Sequence, residues 1–222
     1  MGANWKALDM YRVEQFQSYM LVISQRYPRV AEYLEHQVGF DKWSQCHFPR
    51  MRYNITTTNV AESLNNMLLT ARNFPYITLL DVIQGKMSKW WNKRRTVGMN
   101  FTSPLTPNWE DELRPRFTES NSLLKIQLNP VTFHVKKCGF LKAVVNINNL
   151  TCTCRVFDID RLPCVHTITV ASHARVSVYT LASHYYMKDY YMLTYAKTIY
   201  PVGSQSLWDV PEEVAARVVL PL

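Results

Sequence analysis

The segment CTCRVFDIDRLPCVH, from Cys152 to His166, holds three of the five cysteines of the chain and one of its six histidines. Residues i and i+2 of an extended strand face the same side, so Cys152 and Cys154 can present two sulfurs to one ion. Cys164 and His166 repeat this spacing after Pro163. A closed set of three thiolates and one imidazole is typical of structural zinc. We therefore predict one structural zinc ion bound by Cys152, Cys154, Cys164 and His166.

Two other interpretations of this segment stay open on the spacing alone. Two of the cysteines could form a disulfide, or the thiols could pack as small hydrophobic groups beside a hydrogen-bonded histidine. The N-terminus shows no secretory signal, so we expect an intracellular, reducing compartment, where clustered cysteines more often bind metal. A zinc-bound His166 should donate its second ring N–H to a carbonyl or carboxylate, and Asp158 and Asp160 are candidates in the intervening loop.

The residues before this segment change from a helical to a strand period. Apolar and polar residues alternate over residues 124–128, 131–135 and 145–147, which is the two-residue period of strands. A helical pattern resumes near Val165. Cys164 would then lie at a helix N-terminus, where the helix dipole favours a thiolate.

The first half of the chain predicts helices. Apolar residues recur at helical spacing over residues 9–37, with a break at Pro28. Asn59 and Glu62 are spaced as a capping box that opens the next helix. Thr106 and Pro107 predict a further helix start, and Pro115 should shorten or kink that helix. The residues at helical spacing are Phe16, Met20 and Ile23 before the break at Pro28, and Val30, Tyr33 and Leu34 after it. Helical stripes for burial are predicted at Val60, Leu64, Met67, Leu68 and Ala71, and at Leu80, Ile83, Met87 and Trp90.

These patterns predict an α+β fold, with a mainly helical N-terminal region followed by a small ββα zinc-binding module. We place the helical region at residues 1–118, the module with its preceding strands and following helices at residues 122–200, and a tail at residues 201–222. Hydrophobic residues make up 47% of the chain, which is enough for a buried core. No apolar run approaches the roughly 18 residues of a membrane span, so we expect no membrane association.

The balance of charge favours a polyanionic partner. The net charge is +8 and the isoelectric point is about 9.3, and nucleic acid is the commonest polyanion. The predicted helix after Thr78 carries a basic ridge beside Trp90 and Trp91. This ridge could contact phosphates or could be an ordinary solvated helix face. Its members are Lys86, Lys89, Lys93, Arg94 and Arg95.

The two remaining cysteines have simpler interpretations. Cys46 and His47 are adjacent, so their side chains should point apart, giving a packed thiol beside a surface imidazole. Cys138 falls in the predicted turn over residues 137–139 and is expected to be a free thiol.

Taken together, these motifs resemble two known patterns. The order C-x-C, then C-x-H after a proline, resembles the SWIM-type zinc finger, a small ββα unit, and Phe157 matches its usual aromatic residue. Upstream, TNVAESLNNMLLTARNFPYITLLDVIQGKMSKWWNKRR resembles the region before that finger in plant Mutator-like transposases of the MuDR type. The segment YRVEQFQSYMLVISQRYPRVAEYLEHQVGFDKW resembles the end of their helical insertion. The resemblance spans roughly residues 9–202.

The resemblance implies a nuclear protein that associates with DNA. Such transposases resemble DDE recombinases, in which three carboxylates hold two divalent metal ions. By resemblance Glu62 is the third acid, here vestigial, or simply a capping residue. Asp9 and Asp41 lie in helical or irregular contexts that do not match the other two acids. We therefore expect no catalysis by this chain alone and no small-molecule substrate. An active transposase completed by upstream acids, and a protein-interaction module, are the alternatives.

Overall fold

The computed structural model describes residues 7–49, 59–137, 142–201, 203 and 209–216. The chain divides into two compact units. The first consists of residues 1–57 and 101–191, and the second of residues 58–100 and 192–222. The predicted α+β class is confirmed, since helices precede a small antiparallel sheet and its metal-binding region. The domain limits at residues 118, 122 and 200 stay a prediction.

Eleven α-helices are present among the described residues from Val13 onward. Their bounds are α1 Val13–Arg26, α2 Pro28–Glu32, α3 Phe40–Trp43, α4 Asn59–Leu68, α5 Tyr76–Met99, α6 Pro107–Ser120, α7 Val156–Asp160, α8 Val165–Ala174, α9 Val178–Leu181, α10 Lys188–Thr194 and α11 Glu212–Ala215. A π-helix at Tyr33–Val38 extends α2, and 3₁₀ turns occupy Ala71–Asn73 and His184–Tyr186. No helix in the described residues is both long enough and apolar enough to cross a membrane.

A four-stranded antiparallel meander lies in the first unit. Its strands, each paired with the next, are β1 Leu124–Asn129, β2 Thr132–Lys136, β3 Lys142–Asn146 and β4 Thr151–Cys152. Phe133 and Val135 of β2 are buried, as are Ala143 and Val145 of β3, whereas the described residues between them are not. The two-residue period seen in the sequence is therefore the period of burial in these two strands.

Helix α8 covers the buried side of this sheet and also packs against α6. The shared core includes Leu113 from α6, Phe157 from α7 and Ile168 from α8, all of them fully buried. The aromatic residues after α8 join it, because the Tyr186 ring lies 4.1 Å from that of Trp109. The metal-binding residues are thus carried by elements that share one hydrophobic core.

The start of α6 agrees with the sequence, but Pro115 does not shorten the helix. Thr106 is the N-cap and Pro107 is the first helical residue. The helix continues through Pro115 to Ser120. Proline removes the hydrogen bond to the carbonyl four residues earlier, which is that of Asp111. Both residues are exposed, so water can satisfy this carbonyl.

The N-terminal helices form a second, smaller core in the first unit. Phe16 and Ile23 of α1 are buried together with Ala31 and Cys46. The predicted break at Pro28 is confirmed, since α1 ends at Arg26 and α2 begins at Pro28. Val30 and Tyr33, which resume the helical spacing after Pro28, are exposed. The new helix starts with a different rotational phase, which turns Ala31 inward instead.

The second unit is built around α4 and the long helix α5. Ala71 is buried, as predicted, while Met67 and Leu68 are half-buried. Leu64 and Leu80, both predicted in buried stripes, are exposed. The side chains of Asn59 and Val60, the turn residues Cys138 and Gly139, and most of the tail lie outside the described residues. The capping box is therefore not described, although α4 does begin at Asn59.

Candidate metal centre

The first two sulfur ligands come from the end of the sheet. Cys152 is the last residue of β4, and Cys154 lies in the turn that follows it. The expectation that both lie in one strand is wrong, because the backbone of Arg155 turns back to donate a 2.8 Å hydrogen bond to the Cys152 carbonyl. The left-handed φ of 67° at Arg155 produces this turn. This turn, like a strand, lets the Cys152 and Cys154 thiols approach one ion.

The other two ligands come from the start of α8, as the sequence predicted. Cys164 is the N-cap residue of this helix and His166 is its second residue. The ten-residue helix therefore presents its positive N-terminal end to the sulfur of Cys164. The segment before it contains the short helix α7, so the prediction of a loop carrying Asp158 and Asp160 is wrong.

These four side chains converge. One ligand atom from each of Cys152, Cys154, Cys164 and His166 lies within 4.8 Å of every other. His166 Nδ1 is 3.7 Å from the Cys152 sulfur and 3.9 Å from the Cys164 sulfur. Zinc bonds of about 2.3 Å to sulfur and 2.0 Å to nitrogen place such atoms about 3.5 Å apart in a tetrahedron. The arrangement therefore fits one tetrahedral zinc ion bound through Nδ1.

The electrostatics of the thiols also favour a bound cation. Hydrogen bonding to Cys154 and Cys164, together with burial, raises the pKa of the Cys152 thiol. At Cys154, a hydrogen bond from Cys152 lowers the pKa of the thiol. Hydrogen bonding to Cys164 and burial outweigh this effect and raise that pKa to about 12. Burial opposes ionisation of Cys164, yet hydrogen bonds from the two other thiols hold its pKa well below the usual value. Simultaneous ionisation of all three thiols would therefore be favoured by a bound positive charge.

Polar groups around the ligands fix their orientation. Thr167 Oγ1 lies 3.2 Å from the Cys164 sulfur, and the Val156 backbone N–H donates to the Cys154 sulfur. Asp158 does not take the role predicted for it at the histidine, because it accepts the backbone N–H of Cys152 at 3.2 Å. The predicted alternative, Asp160, faces other residues. Such outer contacts hold a metal ligand in its binding geometry.

The fold and the donor set define a structural zinc-finger module of the Cys₃His class. Residues 140–175 match the family model of the SWIM zinc finger, and this range contains all four ligands. The chain thus carries a SWIM zinc finger with its ligands positioned to bind one zinc ion. No disulfide joins cysteines among the described residues. The searches of curated proteins and of solved structures returned no match.

The five residues of the predicted basic ridge lie on α5 of the second unit. Lys89 and Lys93 are exposed, one helical turn apart. Lys86 donates to the carbonyl of Met67. The Arg94 guanidinium lies 4.8 Å from the Trp90 ring centroid. Arg95 donates to three consecutive carbonyls at 2.8 to 3.1 Å, those of Tyr195, Ala196 and Lys197.

The predicted carboxylates are all on the surface. Glu62 is exposed on α4 of the second unit, and Asp9 and Asp41 are exposed in the first unit. Among the described residues, one group of three or more potential metal ligands is close enough to hold an ion, and that group is the Cys₃His set.

The sequence interpretation of Cys46 and His47 is wrong in one respect. Their side chains do not point apart, because the Cys46 sulfur lies 3.2 Å from His47 Nδ1. Ser44 Oγ approaches the same nitrogen at 2.9 Å and the sulfur at 3.2 Å. The His47 ring packs edge-on against Phe16 at 4.7 Å. The chain turns over residues 45–47, which brings the adjacent side chains together.

A buried carboxylate, predicted only as a candidate partner of His166, links the two cores of the first unit. Asp160, only 1% exposed, accepts a 2.8 Å hydrogen bond from the Tyr11 hydroxyl. Gln45 Nε2 approaches it at 3.4 Å and Arg116 at 3.8 Å. Burial raises the pKa of both Asp160 and Tyr11. Because Asp160 lies on α7 between the ligand pairs, this contact ties the N-terminal helices to the zinc module.

Proposed function

We propose that the chain is a zinc-stabilised module derived from a Mutator-like transposase, and that it associates with DNA without catalysis by itself. The zinc ion cross-links β4 and α8 and so acts in folding rather than in chemistry. A nuclear location follows from this proposal, because the polyanion would be chromosomal DNA. The support comes from the distribution of charge and from the motifs around the finger.

The observation that carries the DNA proposal is the charge of α5. No Asp or Glu occurs from residue 82 to residue 109, whereas five Lys and Arg residues lie between 86 and 95. The part of α5 from residue 82 onward therefore carries one sign of charge, which attracts the phosphate backbone and releases its counterions. Lys89 and Lys93 are the two exposed members, and they lie on the same side of the helix. These two lysines are the proposed phosphate contacts.

Arg94 and Arg95 support the ridge in another way. Arg95 holds the carbonyls of residues 195–197, and Arg94 lies against the rings of Trp90 and Tyr195. Both arginines therefore order the segment next to α5. The two exposed lysines would then be presented by a helix whose own position is fixed, which lowers the entropic cost of binding.

The proposal that the chain has no catalysis of its own rests on the acidic motif. The motif AESLN supplies one acid, Glu62, while two-metal phosphodiester chemistry needs several carboxylates around two ions. A test is cleavage of labelled duplex DNA in Mg²⁺ and in Mn²⁺. If the wild type cleaves DNA and Glu62→Gln does not, the chain is a DDE enzyme and this proposal is rejected.

DNA association is tested by fluorescence anisotropy with a labelled duplex over a range of salt concentrations. Each phosphate contact contributes about 0.9 to the slope of log K against log salt. The variant Lys89→Ala with Lys93→Ala should therefore lower the slope by about 1.8. The matched control is Arg29→Ala with Lys42→Ala, which removes the same charge from exposed positions of the first unit.

Three outcomes separate the alternatives. Unchanged slopes in the ridge variant would remove these lysines from the interface. Equal losses in ridge and control variants would indicate a nonspecific effect of net charge. Absence of binding at low salt, with a protein that is folded and contains one zinc, would reject DNA association and favour a protein-interaction module.

A further inference from the structure

Strand β1 has an unpaired edge. In the sheet order β1-β2-β3-β4, β1 pairs with β2 on one side, and no strand among the described residues pairs with its other side. The backbone N–H and C=O groups on that side are therefore available to another extended chain. All six residues of β1 are exposed, unlike those of β2 and β3, so the edge is not covered by side chains of the core.

One face of β1 is apolar although it is exposed. Leu124 is 56% exposed and Ile126 is 45% exposed, and the alternation continues at Leu128 beyond an irregularity in the pairing. The register places Ile126 beside His134 of β2, and His134 beside Val144 of β3. These residues lie on the side of the sheet opposite the buried Phe133 and Val135. Aliphatic side chains thus form a patch that reaches the free edge.

The chain segment that forms the sheet carries charge of one sign. No Asp or Glu occurs from residue 120 to residue 157, a stretch that contains the whole sheet. Its cations include Lys125 on β1, Lys136 and Lys137 at the end of β2, and Arg155, all exposed. A second copy of this sheet would bring these positive charges together, so pairing of two β1 edges is disfavoured. An acidic occupant is the complementary one.

We propose that β1 is a docking edge for an extended segment of a partner protein in which apolar and acidic side chains alternate. The segment would add a fifth strand beside β1 through backbone hydrogen bonds. Its apolar side chains would cover Leu124 and Ile126, and its carboxylates would face the surrounding lysines. Nucleic acid is a poorer fit, because bases stack on aromatic rings and the aliphatic patch offers none. This proposal is independent of the DNA association of α5.

The test uses the full zinc-loaded chain and a fluorescein-labelled peptide of eight residues in which glutamate and valine alternate. We expect saturable binding by anisotropy, and selective shifts of the amide signals of residues 124–129 in NMR spectra. The same peptide with lysine in place of glutamate should not bind. A version with N-methyl groups on alternate residues should bind at least tenfold more weakly, because it cannot form the backbone hydrogen bonds of a strand.

Matched double variants test whether the peptide binds the β1 patch itself rather than exposed apolar residues in general. The variant Leu124→Ser with Ile126→Ser should weaken peptide binding at least tenfold without changing the net charge. The control variant, Leu21→Ser with Val30→Ser, removes one leucine and one β-branched residue at 60% and 41% exposure in the same unit. It should bind the peptide within twofold of the wild type. Zinc content and circular dichroism check that both variants fold.

Several results would overturn the proposal. These are no binding of the acidic peptide, equal binding of the lysine peptide, or equal weakening by both double variants. Sedimentation showing a dimer that only the β1 variant disrupts would assign the edge to a second copy of the chain. Loss of duplex DNA binding in the β1 variant, without peptide binding to the wild type, would assign it to nucleic acid.

Discussion

Removal of zinc should unfold the metal module before the N-terminal helices. The ion joins β4 and the following turn to the start of α8, through atoms that already lie within 4.8 Å of one another. Structural zinc sites bind with about 10–16 kcal/mol, and about 12 kcal/mol corresponds to a dissociation constant of about 1 nM. At about 10 μM free zinc the ion would then contribute about 5.5 kcal/mol to stability. This is a large part of the roughly 5–15 kcal/mol available to a domain.

Native-state hydrogen exchange measures this contribution region by region. Loss of about 5.5 kcal/mol corresponds to about a 10⁴-fold loss of protection for amides that exchange through unfolding of the module. We expect this loss over residues 168–172 of α8 when EDTA replaces zinc. Amides of α1 should lose much less, because Phe16 and Ile23 belong to a separate core.

A pair of cysteine variants provides the control. Cys154→Ser removes one ligand and should reduce bound zinc well below one per chain, with the same loss of protection in α8. Cys46→Ser changes a buried thiol that lies outside the metal site, and should retain one zinc. Protection in α8 that stays within tenfold of its zinc-bound value in EDTA would refute the reasoning. A uniform loss across α1 and α8 would refute the separation of the two cores.

Three further predictions concern groups buried near the ligands. Tyr11→Phe removes a hydroxyl that donates to the buried Asp160 and should lower the free energy of unfolding by about 1.5–3 kcal/mol in urea, while the exposed Tyr27→Phe should change it by less than about 0.5. Burial raises the pKa of Asp160 above its ordinary 3.8, so the folded state holds this proton more tightly than the unfolded state does. The stability of the wild type, relative to that of Asp160→Asn, should therefore fall as pH rises above 3.8 through the folded pKa. Urea titrations between about pH 4.5 and 6.5 with saturating zinc measure this difference, and a difference independent of pH would contradict it. Phe157→Ala empties a fully buried position and should cost about 3–5 kcal/mol, with zinc stoichiometry unchanged at saturating metal; loss of zinc binding would show that the ring also shapes the site.

The zinc ligands could be predicted because their chemistry is local. The spacing of Cys152 and Cys154, and of Cys164 and His166, places two donors on each of two short elements. Very few other functions use that donor set. The strands were predictable for a similar reason, since the period of two is a local property of the chain.

Burial was less predictable, because it depends on what covers each element. Leu124 and Ile126 alternate as regularly as Phe133 and Val135, yet the first pair is exposed and the second is buried. The difference lies in the position of β1 at the edge of the sheet, which no local period encodes. The same limit explains Leu80, predicted on an apolar stripe and exposed in the second unit.

The contact at Asp160 could not be predicted from sequence for a different reason. Its partner Tyr11 is 149 residues away along the chain. A single sequence carries no signal for such a pair, and the sequence pattern indicated this carboxylate only as a candidate partner of His166. Cys46 and His47 are adjacent in the sequence, but the contact between their side chains depends on a turn whose geometry the residue types do not specify.

The segment between the two ligand pairs is a folded spacer of fixed length. Helix α7 is bounded by two arginines in the left-handed region, Arg155 at φ 67° and Arg161 at φ 57°, and its Phe157 ring is fully buried. One inserted residue would rotate everything after it by about 100° around the helix axis, which would turn either Phe157 or Asp160 away from its partners. Insertions and deletions should therefore be selected against here even though neither pair of ligands is touched. A transplanted finger would need this spacer intact, whereas the turn after β1 could vary in length.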